Sequence, residues 1–276
     1  MEAVELPDMW YQGKAEISTY KLQQNRYNDV HLGKMTTIFV TEDFLTDKQV
    51  KNDSGKSANS ANVLKMNKIR RFTTGIYDYS LFTSTFTDVK QAKTYKATAS
   101  SQDWCGQSYM QINRDKSKYQ VQLQSYFEGE SLDKKVKADV LEDELPTLIR
   151  LDDSRLPIGS FQILPSLEYT MLRHLPYKPV EAVGKLDSAD VGEYGWAETI
   201  MVYNVTIPTY DKSVTFYYSN DDDRQILQWE EEYPSAFDGK KRLTRASLMH
   251  TEWLPYWSLN NKSDAAKRSS LGLRNF

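Results

Sequence analysis

Cys105 is the single cysteine of the chain, and it stands in Trp104-Cys105-Gly106-Gln107-Ser108. This is half of a Trp-Cys-Gly-x-Cys dithiol motif, with Ser108 where the second thiol would be. A lone thiol closes no internal disulfide. A redox thiol is activated at a helix N-terminus, where the dipole favours the thiolate. Here the flanking segments alternate as strands. The reading is a structural or partly buried thiol, with nucleophilic use requiring His174 or His250 to be brought alongside in space.

Other spacings point to other chemistries. Gly55-Lys56-Ser57 resembles the end of a phosphate-binding loop, but that motif needs a glycine five residues before its second glycine, where Val50 stands. Asp221-Asp222-Asp223 lacks the alternating ligands, central glycine and distal glutamate of a calcium loop, so a solvated turn is expected. Glu142-Asp143-Glu144 and Glu230-Glu231-Glu232 supply carboxylates of the kind glycoside hydrolysis uses. The first triplet reads as a helix face and the second as a strand end. His31, His174 and His250 are the three histidines, too separated for metal-ligand spacing. No catalytic residue, metal or cofactor is expected.

What remains is aromatic. Trp253, Tyr256 and Trp257 cluster around Pro255, and with Trp104 they are the candidate ligand-binding residues. Exposed, such rings stack on a sugar or dock a partner; buried, they close a core. Burial is the favoured reading for the Pro255 cluster.

Composition sets the frame for these side chains. The 276 residues carry 35 Lys+Arg against 38 Asp+Glu, a net charge of −3, and this balance argues against a nucleic-acid partner. Lys68-Ile69-Arg70-Arg71 and Lys240-Lys241-Arg242 read as solvated strand ends. The longest apolar run, Thr199 to Ile207, is broken by Asn204 and falls short of the ~20 residues that span a bilayer. Met1-Glu2-Ala3 does not open a signal peptide. Tyrosine is abundant, 18 residues against 10 Phe, and suits strands whose hydroxyls stay wet.

Period-two alternation predicts the elements. In Ser117 to Phe127, Tyr119, Val121, Leu123 and Phe127 share a face, with Lys118, Gln120, Gln122 and Gln124 opposite. Further strands are expected at Lys14 to Leu22, Met35 to Thr41, Gly75 to Thr87 and Lys93 to Ser101, with a hairpin at Asn113 to Lys116. Asn52 to Ser60 reads as an exposed loop. From Glu128 to Leu151 the pattern predicts a helix ended or kinked by Pro146. A second short helix is expected from Ser166 to His174, with Pro165 at its start. Strands resume at Val180 to Leu186, Trp196 to Ile207, Ser213 to Tyr218, Arg224 to Glu231 and Arg242 to His250. Ser219 to Asp223 and Gly239 supply turns.

Four segments carry a resemblance: Gly13-Lys14-Ala15-Glu16-Ile17, Phe72-Thr73-Thr74-Gly75-Ile76-Tyr77, Gln102-Asp103-Trp104-Cys105-Gly106 and Ser125-Tyr126-Phe127-Glu128. Together they resemble an uncharacterised family of secreted or lipid-anchored Gram-negative envelope proteins. Some of these bear a septum-formation-inhibitor label, but the Ser-Pro-Arg-Arg segment of that enzyme class has no counterpart here. Ile149-Arg150 through Leu156-Pro157-Ile158-Gly159, then Tyr217 to Asp221 and Ile226 to Trp229, are similar to periplasmic β proteins of unknown function. The resemblance implies a place in the cell envelope, in the periplasm or outer membrane as a lipoprotein, with attachment only through a lipid anchor absent from this chain. A cytoplasmic site stays open.

The expected fold is mainly β: two sets of curved antiparallel strands, half-barrel or sandwich-like, bridged by a short helical segment. Residues 10–250 are read as one domain in two halves (10–128 and 178–250) with a helical connection at 129–177. Residues 251–276 form an aromatic segment and a frayed tail. The expected function is non-enzymatic binding of a lipid, a glycan or another envelope protein, with the concave face of the sheet as the natural cradle. The alternatives are an accessory subunit of an outer-membrane assembly or transport complex, and a hydrolase whose site gathers distant residues.

Overall fold

Strands whose side chains alternate between water and core are stable only when one face is covered, and here a single curved sheet wraps around its own helices. The computed structural model describes residues 3–55, 57–189 and 199–273. The strands are β1 (Ala15–Arg26), β2 (Asp29–Leu45), β3 (Val50–Lys51), β4 (Ser60–Thr74), β5 (Tyr77–Asp88), β6 (Lys93–Asp103), β7 (Gly106–Asp115), β8 (Lys118–Gln124) and β9 (Leu132–Val136). They continue as β10 (Val140–Leu141), β11 (Gly159–Leu164), β12 (Val180–Ala189), β13 (Ile200–Ile207), β14 (Lys212–Ser219), β15 (Ile226–Pro234) and β16 (Lys241–Leu254).

All sixteen belong to one sheet, ordered β10-β11-β12-β13-β14-β15-β16-β1-β2-β4-β5-β6-β7-β8-β9, with β3 paired to β2. Neighbours are antiparallel except β10 and β11. The two strand sets therefore meet in a continuous sheet, joined where Ala15 pairs with Leu254 and Gln23 with Arg245. Register shifts at Thr19/Tyr20, Phe86/Thr87 and Tyr217/Tyr218 place irregularities along the wall, and such bulges bend strands and increase twist. The free edges are β9 and β10, which follow each other in the chain.

Two short helices fill the curve: α1 (Leu145–Leu151) and α2 (Leu167–Arg173). Every residue of α1 is buried, and every residue of α2 except Arg173. A helix buried all round lies inside a core, and seven-residue helices hold their shape only through tertiary packing. Leu145, Leu148 and Ile149 belong to a cluster with Met66, Phe72, Leu81, Phe216 and Trp229. Leu167 and Met171 belong to a second cluster, with Ala97, Ala99, Met110, Ile112 and Val121. Each fully buried Leu stabilises by roughly 1.5–3 kcal/mol relative to exposure. The loop between the helices also presses on the wall, since a Cβ on Gly184 would lie 2.1 Å from the Pro157 carbonyl oxygen.

Several local expectations give way. The helix foreseen from Glu128 to Leu151 forms only over its last ten residues, as a 3-10 turn and α1, while β9 and β10 take up part of its first half. Pro146 begins α1 instead of ending a helix, because its missing N–H costs nothing in the first turn. β4, β7 and β11 were not assigned as strands in the sequence. α2 does begin after Ser166, whose hydroxyl caps the Tyr169 N–H. The tail is not simply frayed: Leu271 is 7% exposed, and its carbonyl accepts a 2.8 Å bond from Thr19. Trp196, expected to open a strand, lies outside the described residues, as does Lys56 of Gly55-Lys56-Ser57.

Candidate functional site

Along β4 the inward positions are Met66, Lys68, Arg70 and Phe72, so alternation splits the basic cluster. Arg71 faces water, whereas Lys68 and Arg70 are buried in the core, contrary to the reading as a solvated strand end. Their partners come from the helical segment and the opposite wall. Lys68 Nζ lies 3.3 Å from Glu168 Oε2 and 3.6 Å from Asp143 Oδ1. Arg70 pairs with Glu231 and lies 3.4 Å from the same Glu168 oxygen. Lys212 pairs with Glu142, and Arg150 with Glu16. Asp143 also accepts from the Ser166 hydroxyl at 3.0 Å and the Leu167 N–H at 2.7 Å.

The Glu142–Glu144 triplet is thus not an exposed helix face. It is a buried 3-10 turn whose three carboxylates are at most 4% exposed. Burial pushes Glu16, Glu142, Asp143 and Glu144 above the usual carboxylate range. Glu231 goes the other way: burial raises it, but Arg70, Lys212 and Lys68 outweigh that and hold it at about 2. Displaced carboxylates often mark active sites. These line neither of the two surface hollows described below. What the network does is clamp the helical segment to β1, β4, β14 and β15. Removing one partner of such a pair leaves an uncompensated buried charge.

Accessible chemistry gathers at one end of the sheet. The turns after β1, β4, β6, β8 and β15 all fall there, by the up-and-down order of the strands. They carry large apolar side chains where polar turn residues are usual. Ile76 is 82% exposed, Trp104 68%, Tyr126 67% and Phe237 60%. Ring contacts link Phe237 to Tyr27 at 5.1 Å, Tyr27 to Tyr77 at 6.5 Å and Tyr77 to Trp104 at 6.1 Å. Tyr126 stands edge-on to Phe127 at 5.4 Å, and Phe127 to His174 at 4.4 Å. Gly106 lets Tyr126 lie flat on the chain, since a Cβ there would come within 2.6 Å of Tyr126 Cγ.

Within this rim lie two shallow hollows, each with only about 10 Å³ of room for water-sized groups. They share Arg26 and Leu172. The Arg26 guanidinium reaches the Tyr79 hydroxyl at 3.2 Å and donates to the Leu172 carbonyl at 2.6 Å. Burial pushes the Tyr79 hydroxyl well above its usual range, so it serves as a neutral acceptor. Tyr27 bonds both Tyr77 and Tyr79 through hydroxyls.

The four aromatic residues singled out in the sequence do not meet. Trp104 joins the rim. Trp253 pairs with Glu16 at the opposite end of the sheet and packs edge-on against Trp10 at 4.7 Å. Tyr256 and Trp257 touch each other at 5.4 Å in a 3-10 turn beyond β16. Trp257 is 49% exposed. Cys105 is exposed, contrary to the partly buried thiol expected, and the Asp103 carboxylate beside it raises its pKa. The turn carrying Asp221 to Asp223 is self-satisfied, with Asp221 Oδ1 accepting from Asp223, Arg224 and Ser219. Sequence reasoning missed Tyr27, Ile76, Tyr77 and Phe237. Their signal was the placement of bulky apolar side chains beside turn residues such as Gly75 and Gly239.

No family model matches the chain, and no curated protein matches it. Among solved structures, the chain is similar to a β-barrel-like protein of a domain of unknown function, DUF1849, from Brucella abortus. The likeness covers 91% of this chain and 99% of that one at 12% identity, with a TM-score of 0.50. At that identity it is a likeness of fold: a mainly β, barrel-like sheet.

Proposed function

We propose that this is a non-enzymatic binding protein of the cell envelope that takes an amphiphilic lipid at its aromatic mouth. One observation carries the reading. The concave face of the sheet is filled by α1 and α2, while the turn end carries the ring series Phe237-Tyr27-Tyr77-Trp104, whose two ends, Phe237 and Trp104, are open to water. Large exposed apolar side chains gathered at one place mark interaction sites. Tyrosine and tryptophan suit a boundary between an apolar ligand and water, because each ring has an apolar body and a polar tip. The envelope placement is supported by the resemblance of the segments around Gly75 and Trp104 to lipid-anchored envelope proteins.

Vesicles of phosphatidylcholine with bromine-labelled acyl chains test the reading. Bromine quenches tryptophan at contact range, so the intrinsic fluorescence of the full chain should fall on titration. Most of that fall should disappear in Trp104→Ala. Equal quenching in both proteins, or none in either, would remove the mouth from consideration.

A further inference from the structure

The first hollow is lined by two arginines, Arg26 and Arg173, together with Tyr27, Tyr233, Ser235 and Phe237. Among the described residues neither guanidinium has a carboxylate within 4.0 Å. Their partners are neutral. Arg26 uses the Tyr79 hydroxyl and the Leu172 carbonyl. Arg173 donates to the Pro234 carbonyl, and its Nε is buried with no hydrogen-bond partner. The remaining contacts are aromatic: Arg26 lies 4.5 Å from the Tyr27 ring centre, and Arg173 lies 5.7 Å from that of Tyr233.

Elsewhere in the fold, arginines taken from water are given carboxylates: Arg70 has Glu231 and Arg150 has Glu16. The C-terminus of α2 offers Arg26 and Arg173 some compensation, but a helix end supplies only about half a negative charge. Two whole positive charges face one hollow. Asp103 lies on the neighbouring hollow, and its Oδ1 already accepts the Cys105 N–H at 2.6 Å.

We infer that the hollow between Arg26 and Arg173 receives an anionic oxygen group, a phosphate or a carboxylate. The planar fork of a guanidinium matches such a group in two-bond geometry. Resting on the aromatic-mouth reading, the inference names the ligand class: an acidic amphiphile with its head between the arginines and its chain over Phe237, Tyr27 and Tyr77. The same chemistry would also accept a free anion.

Calorimetry with the full chain separates these cases, using dodecyl phosphate, dodecyl maltoside and inorganic phosphate. Dodecyl phosphate should bind roughly tenfold or more tighter than dodecyl maltoside, as expected for a charge-assisted pair. Arg173→Gln should erase that preference, with dodecyl phosphate falling to the affinity of dodecyl maltoside. Arg173→Lys keeps the charge without the fork and should retain an intermediate preference, which is readable even where Arg173→Gln fails to fold. Equal affinity for the two dodecyl compounds, or a preference that survives both Arg173→Gln and Arg26→Gln, overturns the inference and leaves the mouth reading intact. Binding of inorganic phosphate alone, lost in Arg173→Gln, supports the anion site and removes the amphiphile. Binding of none of the three overturns both.

Discussion

The Lys68 ammonium on the wall of the sheet lies 3.3 Å from a Glu168 oxygen on α2, and the two side chains are 1% and 2% exposed. The same ammonium lies 3.6 Å from Asp143 Oδ1, and the Trp229 ring centre is 4.7 Å away. A lysine in this position is what ties a helix with little stability of its own to the strand it covers.

Lys68→Met should therefore cost about 3–5 kcal/mol, the usual result of leaving buried carboxylates unpaired. Adding Glu168→Gln should return part of that loss, because neighbouring partners in a network are not additive. Urea unfolding of both variants measures the difference. A double variant as unstable as the sum of the two single ones would show that the pair does not act as a unit.

The buried acids make stability depend on pH in two directions. Glu144 is raised by burial above its ordinary value of 4.5. It accepts from the Leu141 N–H at 3.0 Å and the Thr94 N–H at 3.3 Å, without a cation in its pairs. A raised folded value means its contribution is full below 4.5 and is lost as pH climbs through that raised value. Glu231 is depressed to about 2, so its contribution is present above 4.5 and lost as pH falls toward 2. The Tm should peak in mildly acidic buffer and be lower at about pH 8 than at about pH 5. Glu144→Gln should narrow that gap. A Tm that rises from the lower to the higher pH, or a gap untouched by the substitution, would contradict the assignment.

Much of the sheet was legible because alternation reports directly which side chains face the core. Tyr119, Val121 and Leu123 behave that way in β8. The reading failed where inward positions are charged. Lys68 and Arg70 alternate with Met66 and Phe72 in perfect strand register, but a charged side chain reads as solvated until its partners are known. Those partners, Glu168 and Glu231, lie far along the chain. The same blindness made Glu142 to Glu144 look like an exposed helix face. Spacing shows nothing of a carboxylate paired across the core, and nothing of turns that converge only after the sheet curls. Trp104 was found because it sits beside the single cysteine; Phe237 and Tyr27 carried no comparable local mark.

The thiol at the mouth offers a chemical probe. Cys105 is exposed, and the Asp103 carboxylate raises its pKa, first by its charge and also through a side-chain hydrogen bond. Thiolate is the reactive form. Iodoacetamide should therefore label Cys105 in the folded protein more slowly than it labels free cysteine at the same pH. Asp103→Asn should speed the labelling, followed by intact mass over time. Labelling at the free-cysteine rate in the parent protein would show that Asp103 does not govern the thiol.

Trp104 and Trp253 should separate stability from binding. Trp253 packs edge-on against Trp10, whose ring in turn lies 5.3 Å from the Arg150 guanidinium of the clamp. Trp253→Ala should thus lower stability by about 1–3 kcal/mol, the range for a partly buried packing loss. Quenching by brominated vesicles should persist in that variant while it remains folded. Trp104, two-thirds exposed on a turn, should behave in reverse, with its removal changing stability by no more than about 0.5 kcal/mol and abolishing most of the quenching. Trp253 on β16 and Trp104 on the turn between β6 and β7 lie at opposite ends of the sheet. One pair of substitutions therefore reads both ends: a Trp253→Ala protein that is stable but blind to lipid would move the binding surface to the far end of the sheet.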